Sequence, residues 1–529
     1  MNSPLLARTV VQTLIASGVR EVVLSPGSRN AGLSLALATA HEAGLLRLHV
    51  RVDERTAGFL ALGLAKASEQ VVALVTTSGT AVANLHPAVA EARHSGIPLL
   101  VLSADRPLSL RDSGANQTTR QHGMLAPQVL DCLEVADESG TPQVWARQVV
   151  RAVALARGVR TRQPGPVQIN LGLAAPLIDP LLMSAEWLAE QEVGAHSVEV
   201  VAARPGEPTM IAPGPRTVVV AGDATPTTGR EARSFAEALG VPLLAEPSSN
   251  ARKGRCAVTN PTALLAGDLA PMIERVIVFG HPTLSRPMTR LLSRTDVEMI
   301  MVADRAEWID PGWAVTRVVD AVAAAAPGEG GDTAWLREWL DHPDNHAPQS
   351  GGAWNSDTVT GHVLASLNGD DVLVVGSSQA IRCADRAPVL TDPPTVYANR
   401  GLAGIDGTLS TALGVRLATE RTTTVLLGDL TFLHDLGALV CGDHELNPAV
   451  TAVVIDDHGG GIFAGLEQGD DVYARHFQRV FGTPQRTDLA DAARGLGADA
   501  VVVTTTAELD EALAAPRQAE GWRVIIARV

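Results

Sequence analysis

The stretch from Thr424 to Phe463 constrains this chain more than any other. It runs TVLLGDLTFLHDLGALV, then a connecting region, then TAVVIDDHGGGIF. Val425-Leu426-Leu427 is a short apolar run ending in Gly428-Asp429, the pattern of a buried parallel strand with a carboxylate at its C-terminal tip. Thr451 to Ile455 is a second such run, ending in Asp456-Asp457-His458 and the glycines Gly459, Gly460 and Gly461. Asp429 and Asp457 lie 28 residues apart, and two acids at neighbouring strand ends suit a hard divalent cation such as Mg2+. The glycines let backbone approach a phosphate closely. A lone Gly-Asp after a strand would be only a turn. With Asp457 and the glycine run at crossover spacing, the pattern describes a metal-bridged diphosphate site at the carboxyl edge of an open α/β sheet.

The 529 residues imply roughly three domains, and 46% hydrophobic content is enough for several cores. A formal charge of −16 argues against nucleic acid or an anionic membrane surface as partner, since both favour basic proteins. Cys132, Cys256, Cys383 and Cys441 are scattered without a CxxC, so neither a zinc site nor a disulfide framework is suggested, and a reduced, cytoplasmic compartment is expected. The opening MNSPLLARTVVQTLIASG has the period of an amphipathic helix, not a signal peptide, and no apolar run reaches about 18 residues.

Helix and strand signals alternate over the first 175 or so residues. A helix is expected over Leu5–Ser17, and strands over Glu21–Leu24, Leu46–Val52, Val71–Val75 and Pro98–Leu102. This repetition implies a parallel sheet covered by helices on both faces. A polar, Pro-rich linker (ARPGEPTMIAPGPR) leads to strands at Thr217–Ala221, Val276–Phe279 and Val297–Val302 and a helix at Arg230–Leu239. No GxGxxG follows these strands, so no dinucleotide is indicated. A second polar stretch, Pro327–Gly352, with a short helix around Trp335–Leu340, precedes the last region. That region echoes the first: VVLSPGSRN is matched by VLVVGSSQA, DERTAGFLALGLA by NRGLAGIDGTLSTALGVRLA, and VALVTTSGT by TVLLGDLTF. The pattern is a divergent internal duplication. Expected domains are residues 1–178 (pyrimidine-binding), 179–348 (central) and 349–529 (diphosphate- and metal-binding), all doubly wound α/β.

The acid–glycine segment resembles the metal and diphosphate motif of thiamine-diphosphate enzymes, Gly-Asp-Gly followed by Asn-Asn. Leu430 stands in place of the third-position glycine, and Asp456-Asp457 in place of Asn-Asn. Two related α/β domains flanking a third is the architecture of the decarboxylase-like members of that family. The resemblance implies thiamine diphosphate with Mg2+ (or Mn2+), held by Asp429, Asp457 and the Gly459 carbonyl. Gly428, Leu430, Gly460, Gly461, Ile462 and Phe463 would complete the diphosphate cradle, with Ser78 and Gln117 contributing to the cofactor site. Glu54 would bond the pyrimidine N1′ and favour the tautomer that removes the thiazolium proton. Equally, Asp53-Glu54 has the composition of an ordinary helix N-terminus. Ile405 matches the aliphatic wedge that bends such cofactors, though a buried residue after a Gly turn would look the same. Phe463 would wall the thiazolium or simply pack in a core. The resemblance also implies a homodimer or dimer of dimers, with Glu54 and the diphosphate site contributed by different subunits.

Five arginines stand at strand ends or on loops: Arg29, Arg106, Arg286, Arg382 and Arg400. Singly each would be a solvated surface residue. Together their planar forks favour substrates with several carboxylates. The ordered set SPGSRN, DER, TSGTAVANL, SADRP, GANQT, NRGLAGIDG and GDLTF…DDHGGGIF resembles a menaquinone-pathway family of these enzymes that joins 2-oxoglutarate to isochorismate. It implies that 2-oxoglutarate loses CO2 and its succinyl unit adds 1,4 to isochorismate. Ser378, Arg382 and Arg400 would hold the succinyl carboxylate; Ser28, Arg29, Arg106, Gln117 and Arg286 would hold isochorismate. Ser285-Arg286 stands where the family can carry Lys-Arg. Another thiamine-diphosphate carboligase or decarboxylase, or a catalytically silent cofactor-binding paralogue, is the alternative.

Overall fold

The computed structural model describes residues 2–188, 198–303, 305–325, 333–347, 352–516 and 519–529. The boundary expected at residues 348 and 349, with part of the stretch Pro327–Gly352, lies outside them. Packing divides the chain into two compact units. One comprises Met1–Ala203, Leu409–Glu420 and Asp435–Pro448; the other comprises Arg204–Thr408, Arg421–His434 and Ala449–Val529.

The first unit is built on strands β1 (Glu21–Leu24), β2 (Arg47–Val50), β3 (Val72–Thr76), β4 (Leu99–Asp105), β5 (Cys132–Ala136) and β6 (Val167–Gly172). They form one sheet in the order β2-β1-β3-β4-β6-β5, with every pairing parallel. All residues of β1, β3, β4 and β6 are buried, as a parallel sheet covered on both faces requires. Each Val or Leu so enclosed contributes about 1.5–3 kcal/mol. β2 is shorter than expected because Val52 is exposed. β4 runs on through Ser103-Ala104-Asp105 because its polar residues find partners inside: Ser103 Oγ donates to Asn170 Oδ1 (3.0 Å) and Asn170 Nδ2 donates to Asp105 Oδ2 (2.8 Å). Helix Glu54–Ser68 and the segment Leu409–Glu420 touch backbone to backbone. A Cβ at Gly63 would meet the Thr411 carbonyl at 2.1 Å, and one at Gly414 the Leu60 carbonyl at 2.3 Å, so both positions need glycine.

In the second unit, β7 (Thr209–Ile211) pairs with β13 (Val322–Ala324). The Thr-Met-Ile of the expected linker is therefore a strand, anchored by buried Ile211. β8 (Thr217–Ala221), β9 (Leu243–Ala245), β10 (Arg275–Phe279), β11 (Glu298–Val302) and β12 (Arg317–Val319) form a parallel sheet in the order β12-β11-β10-β8-β9. β14 (Val372–Val375), β15 (Thr395–Tyr397), β16 (Thr423–Gly428), β17 (Val450–Asp456), β18 (Asp499–Val503) and β19 (Trp522–Arg528) form another. Its order, β15-β14-β16-β17-β19-β18, repeats that of the first sheet strand for strand, again all parallel. The echo between the first and last regions of the sequence is thus an echo of topology.

Candidate active site

At the carboxyl edge of the first sheet, consecutive strand ends present Ser28 and Arg29 after β1, Glu54 after β2, Ser78 after β3 and Arg106 after β4. Asp53 caps helix Glu54–Ser68, accepting from Arg55 N (2.9 Å) and pairing with the Arg55 guanidinium (2.7 Å), which holds its carboxyl below the usual range. Capping therefore falls to Asp53, while Glu54 Oε2 accepts from Asn84 Nδ2 (3.1 Å). Ser78 and Gln117 are locked together: Ser78 Oγ donates to the Gln117 carbonyl (3.0 Å) and Gln117 Nε2 to the Ser78 carbonyl (2.9 Å). Gln117 has φ +56°, a left-handed backbone held by that exchange. Arg29 Nη1 donates to the Leu173 carbonyl (2.8 Å) and Arg106 Nη2 to the Asn116 carbonyl (2.9 Å). Burial, then the charge of Arg106, pushes Arg29 down, so the two cations stand close enough to disfavour each other and to favour an anion.

At the same edge of the third sheet, Asp429 begins helix Asp429–His434 directly after β16. Its Oδ1 accepts from Leu430 N (2.7 Å). Leu430 lies in that helix without a positive φ, so no glycine is needed where the family motif has one. Burial, then the charges of Asp457 and Asp456, raises Asp429 to about 7; burial, then Asp456, raises Asp457. Asp456 is tied instead to Arg528 Nε (3.3 Å) and accepts from His458 N (3.3 Å), which leaves Asp457 as the acid beside the glycines. A Cβ at Gly461 would meet Asp457 Oδ2 at 2.1 Å, and one at Gly459 (φ +127°) the Gly482 carbonyl at 1.9 Å. Gly460 N donates to that same carbonyl (2.7 Å). Ile462 and Phe463 follow, with Phe463 against Phe481 (ring centroids 5.7 Å apart). Ile405 is half-buried in a bend. Among the described residues no three His, Cys, Asp or Glu side chains are gathered for a metal; the expected set has two carboxylates and a carbonyl. Asp429, raised by burial and by Asp457, and Asp457, raised by burial and by Asp456, are a donor set a hard divalent cation would stabilise, so this edge fits the expected group.

The remaining arginines lie in the second unit. Arg382 is inside helix Gln379–Arg386, not at a strand end, and its Nη1 donates to the Ser378 carbonyl (2.6 Å). Ser378 has φ +69°. Arg400, buried after β15, donates from Nη2 (2.7 Å) and Nε (3.2 Å) to Thr283 Oγ1 and from Nη1 to Ser377 Oγ (3.5 Å). Burial, then the charge of Arg400, pushes Arg382 down, so the structure brings these two together. Arg286 opens helix Arg286–Leu291, and Ser285 caps it by accepting from Met288 N (3.3 Å). Ser285 thereby gains a structural reason where the family can have lysine.

Residues 5–126 match the family described as thiamine pyrophosphate enzyme, N-terminal TPP binding domain, and residues 375–527 its C-terminal TPP binding domain. A 2-succinyl-5-enolpyruvyl-6-hydroxy-3-cyclohexene-1-carboxylate synthase of Nocardioides is 45% identical over 96% of this chain and 92% of its own length. Proteins of the same name from Kineococcus radiotolerans and Arthrobacter are 46% and 45% identical, over 99% and 96% of this chain and 95% and 87% of theirs. The chain belongs to this synthase family. Its parallel α/β sheets with thiamine-pyrophosphate-binding domains at both ends fit the decarboxylase-like architecture of thiamine-diphosphate enzymes. No helix among the described residues is long and apolar enough to cross a membrane.

Several partners of these residues were not singled out by the sequence, although Asn84 lies within the TSGTAVANL motif. Asn84 is the partner of Glu54, and Thr283 and Ser377 are the partners of Arg400. Glu246, immediately after β9, is buried and accepts from Thr283 N (2.9 Å) and Leu284 N (2.8 Å); burial raises it to about 8. The available signal was the one used for Asp429: an acid following a short apolar run, here LLAE.

Proposed function

We propose that this chain decarboxylates 2-oxoglutarate and adds the succinyl unit 1,4 to isochorismate, giving 2-succinyl-5-enolpyruvyl-6-hydroxy-3-cyclohexene-1-carboxylate and CO2 in menaquinone biosynthesis. The observation that carries the reading is near-full-length identity of 45% to relatives named for that synthase. When bound, thiamine diphosphate supplies the carbon nucleophile and the electron sink. Asp429, Asp457 and the Gly459 carbonyl hold Mg2+ or Mn2+, and Gly428, Leu430, Gly460, Gly461, Ile462 and Phe463 line the diphosphate cradle. Ser78, Gln117 and Ile405 orient the cofactor rings. Glu54 bonds the pyrimidine N1′ through its carboxylate, with Asn84 fixing the carboxylate's direction. Ser378, Arg382 and Arg400 bind the distal carboxylate of 2-oxoglutarate. Ser28, Arg29, Arg106, Gln117 and Arg286 bind isochorismate, and their cationic groups stabilise negative charge that develops as the bond forms. We assign the three domains to residues 1–178, 179–348 and 349–529. The working unit is a homodimer or dimer of dimers in the cytoplasm, Glu54 serving the diphosphate edge of the partner subunit.

The test follows isochorismate by its ultraviolet absorbance while 2-oxoglutarate, Mg2+ and thiamine diphosphate are omitted in turn. Consumption only with all three present is expected. Decarboxylation of 2-oxoglutarate with isochorismate left intact would overturn the acceptor assignment, and loss of neither substrate would overturn both.

A further inference from the structure

Arg400 presents two usable edges, Nε with Nη2 and Nη1 with Nη2. The first is occupied by a single acceptor, Thr283 Oγ1, at 3.2 and 2.7 Å. The terminal edge, whose Nη1 has only a long 3.5 Å bond to Ser377 Oγ, is therefore the one presented to a carboxylate. Thr283 has little freedom to shift. Its own N–H and that of buried Leu284 both donate to Glu246 Oε1, and Glu246 N donates to the Ala221 carbonyl (2.9 Å) in the neighbouring strand β8.

The chemistry of the anchor matters as much as its position. Arg382 and Arg400 repel each other, so an untethered Arg400 would turn away from its neighbour. A carboxylate tether would hold it but would neutralise the charge the substrate needs. A hydroxyl holds it and leaves the charge intact. Burial favours the neutral form of Glu246 near pH 7, so the brace behind Thr283 does not cancel that charge either.

We infer that Thr283, braced by Glu246, is a specificity-determining positioning residue that aims Arg400 at the distal carboxylate of the donor 2-oxoacid. This rests on the proposed reading that Arg400 holds that carboxylate.

The test compares 2-oxoglutarate with 2-oxobutyrate, which lacks the distal carboxylate, using the holoenzyme with saturating isochorismate. The ratio of kcat/KM for the two donors, taken on one preparation, does not depend on the fraction of protein folded. T283V should raise KM for 2-oxoglutarate about tenfold with kcat within about threefold, and lower the donor ratio by about the same factor, as expected for losing a hydrogen bond to a charged group. KM for isochorismate should stay within about twofold, and T283S should restore the donor ratio. If T283V keeps the ratio while R400A loses it, the positioning role is overturned and the donor-site reading stands. If R400A keeps the ratio as well, both are overturned.

Discussion

After β2 the chain presents Glu54; after β15, which holds the same place in the third sheet, it presents Arg400. After β3 comes Ser78, and after β16 its counterpart is Asp429. The fourth strands diverge least and most instructively. β4 and β17 both end in a buried aspartate tied to an arginine: Asp105 to Arg111 (3.0 Å), Asp456 to Arg528 (3.3 Å). The next residue is then Arg106 in one sheet and Asp457 in the other. One strand order thus holds a carboxyl edge of isolated acid and paired cations, and another of crowded acids and glycines. Backbone topology fixes where a functional side chain can stand; its sign is free to change, because each buried strand-end group is satisfied by local partners, as Arg400 is by Thr283 and Asp456 by Arg528.

The division can be broken at its strongest point first. E54Q should lower turnover by at least about a hundredfold, while Mg2+-dependent thiamine diphosphate binding, followed by tryptophan fluorescence, stays within a few-fold. Unchanged turnover would sink the role given to Glu54. Next, D429N and D457N should each weaken metal-dependent cofactor binding on the order of tenfold or more, leaving the first sheet's residues able to bind isochorismate. D456N is the contrast: its carboxylate is engaged by Arg528, so calorimetry should register a smaller loss of cofactor affinity. Equal effects at 456 and 457 would erase the distinction drawn between them. The arginines come third. R382A should raise KM for 2-oxoglutarate about tenfold and leave isochorismate nearly untouched, and R106A should do the reverse.

The smallest effect concerns pH. Glu246 is raised from 4.5 to about 8, so the folded protein keeps a proton that the unfolded chain has already released. That contribution is complete below about pH 4.5 and fades as pH rises through about 8. Thermal unfolding between pH 5 and 9 should therefore show Tm falling with pH, and E246Q should flatten the slope by a few degrees.

The sheets and the acid–glycine edge were legible because parallel strands announce themselves as apolar runs ending in Gly, Asp or Ser. Thr217–Ala221 was placed to the residue, and the internal echo anticipated a repeated strand order. Several strands, among them β5, β6, β18 and β19, carried no expectation, and three further cases show why features escape. The Thr-Met-Ile strand was hidden by its prolines and glycines, since three residues give no period. Arg382 was expected at a strand end or on a loop, not inside a helix, because a Ser-Ser-Gln turn does not reveal how soon the helix begins. Thr283 and Glu246 were silent because a hydroxyl and an acid gain meaning only from what they touch, and their partners lie 117 and 37 residues away.

The last strand in chain order, β19, lies inside its sheet, between β17 and β18, and there Arg528 reaches back to Asp456 while Val529 N donates to the Asp456 carbonyl (3.0 Å). During synthesis on a ribosome, β14 to β17 can pair as they emerge, but β18 has no neighbour until Trp522–Arg528 has left the exit tunnel. The aspartate pair at 456 and 457 would wait for the same moment to be sorted into a tethered acid and a free one. Loss of a few residues from Trp522–Arg528 would therefore disturb the acid–glycine turn about 70 positions upstream.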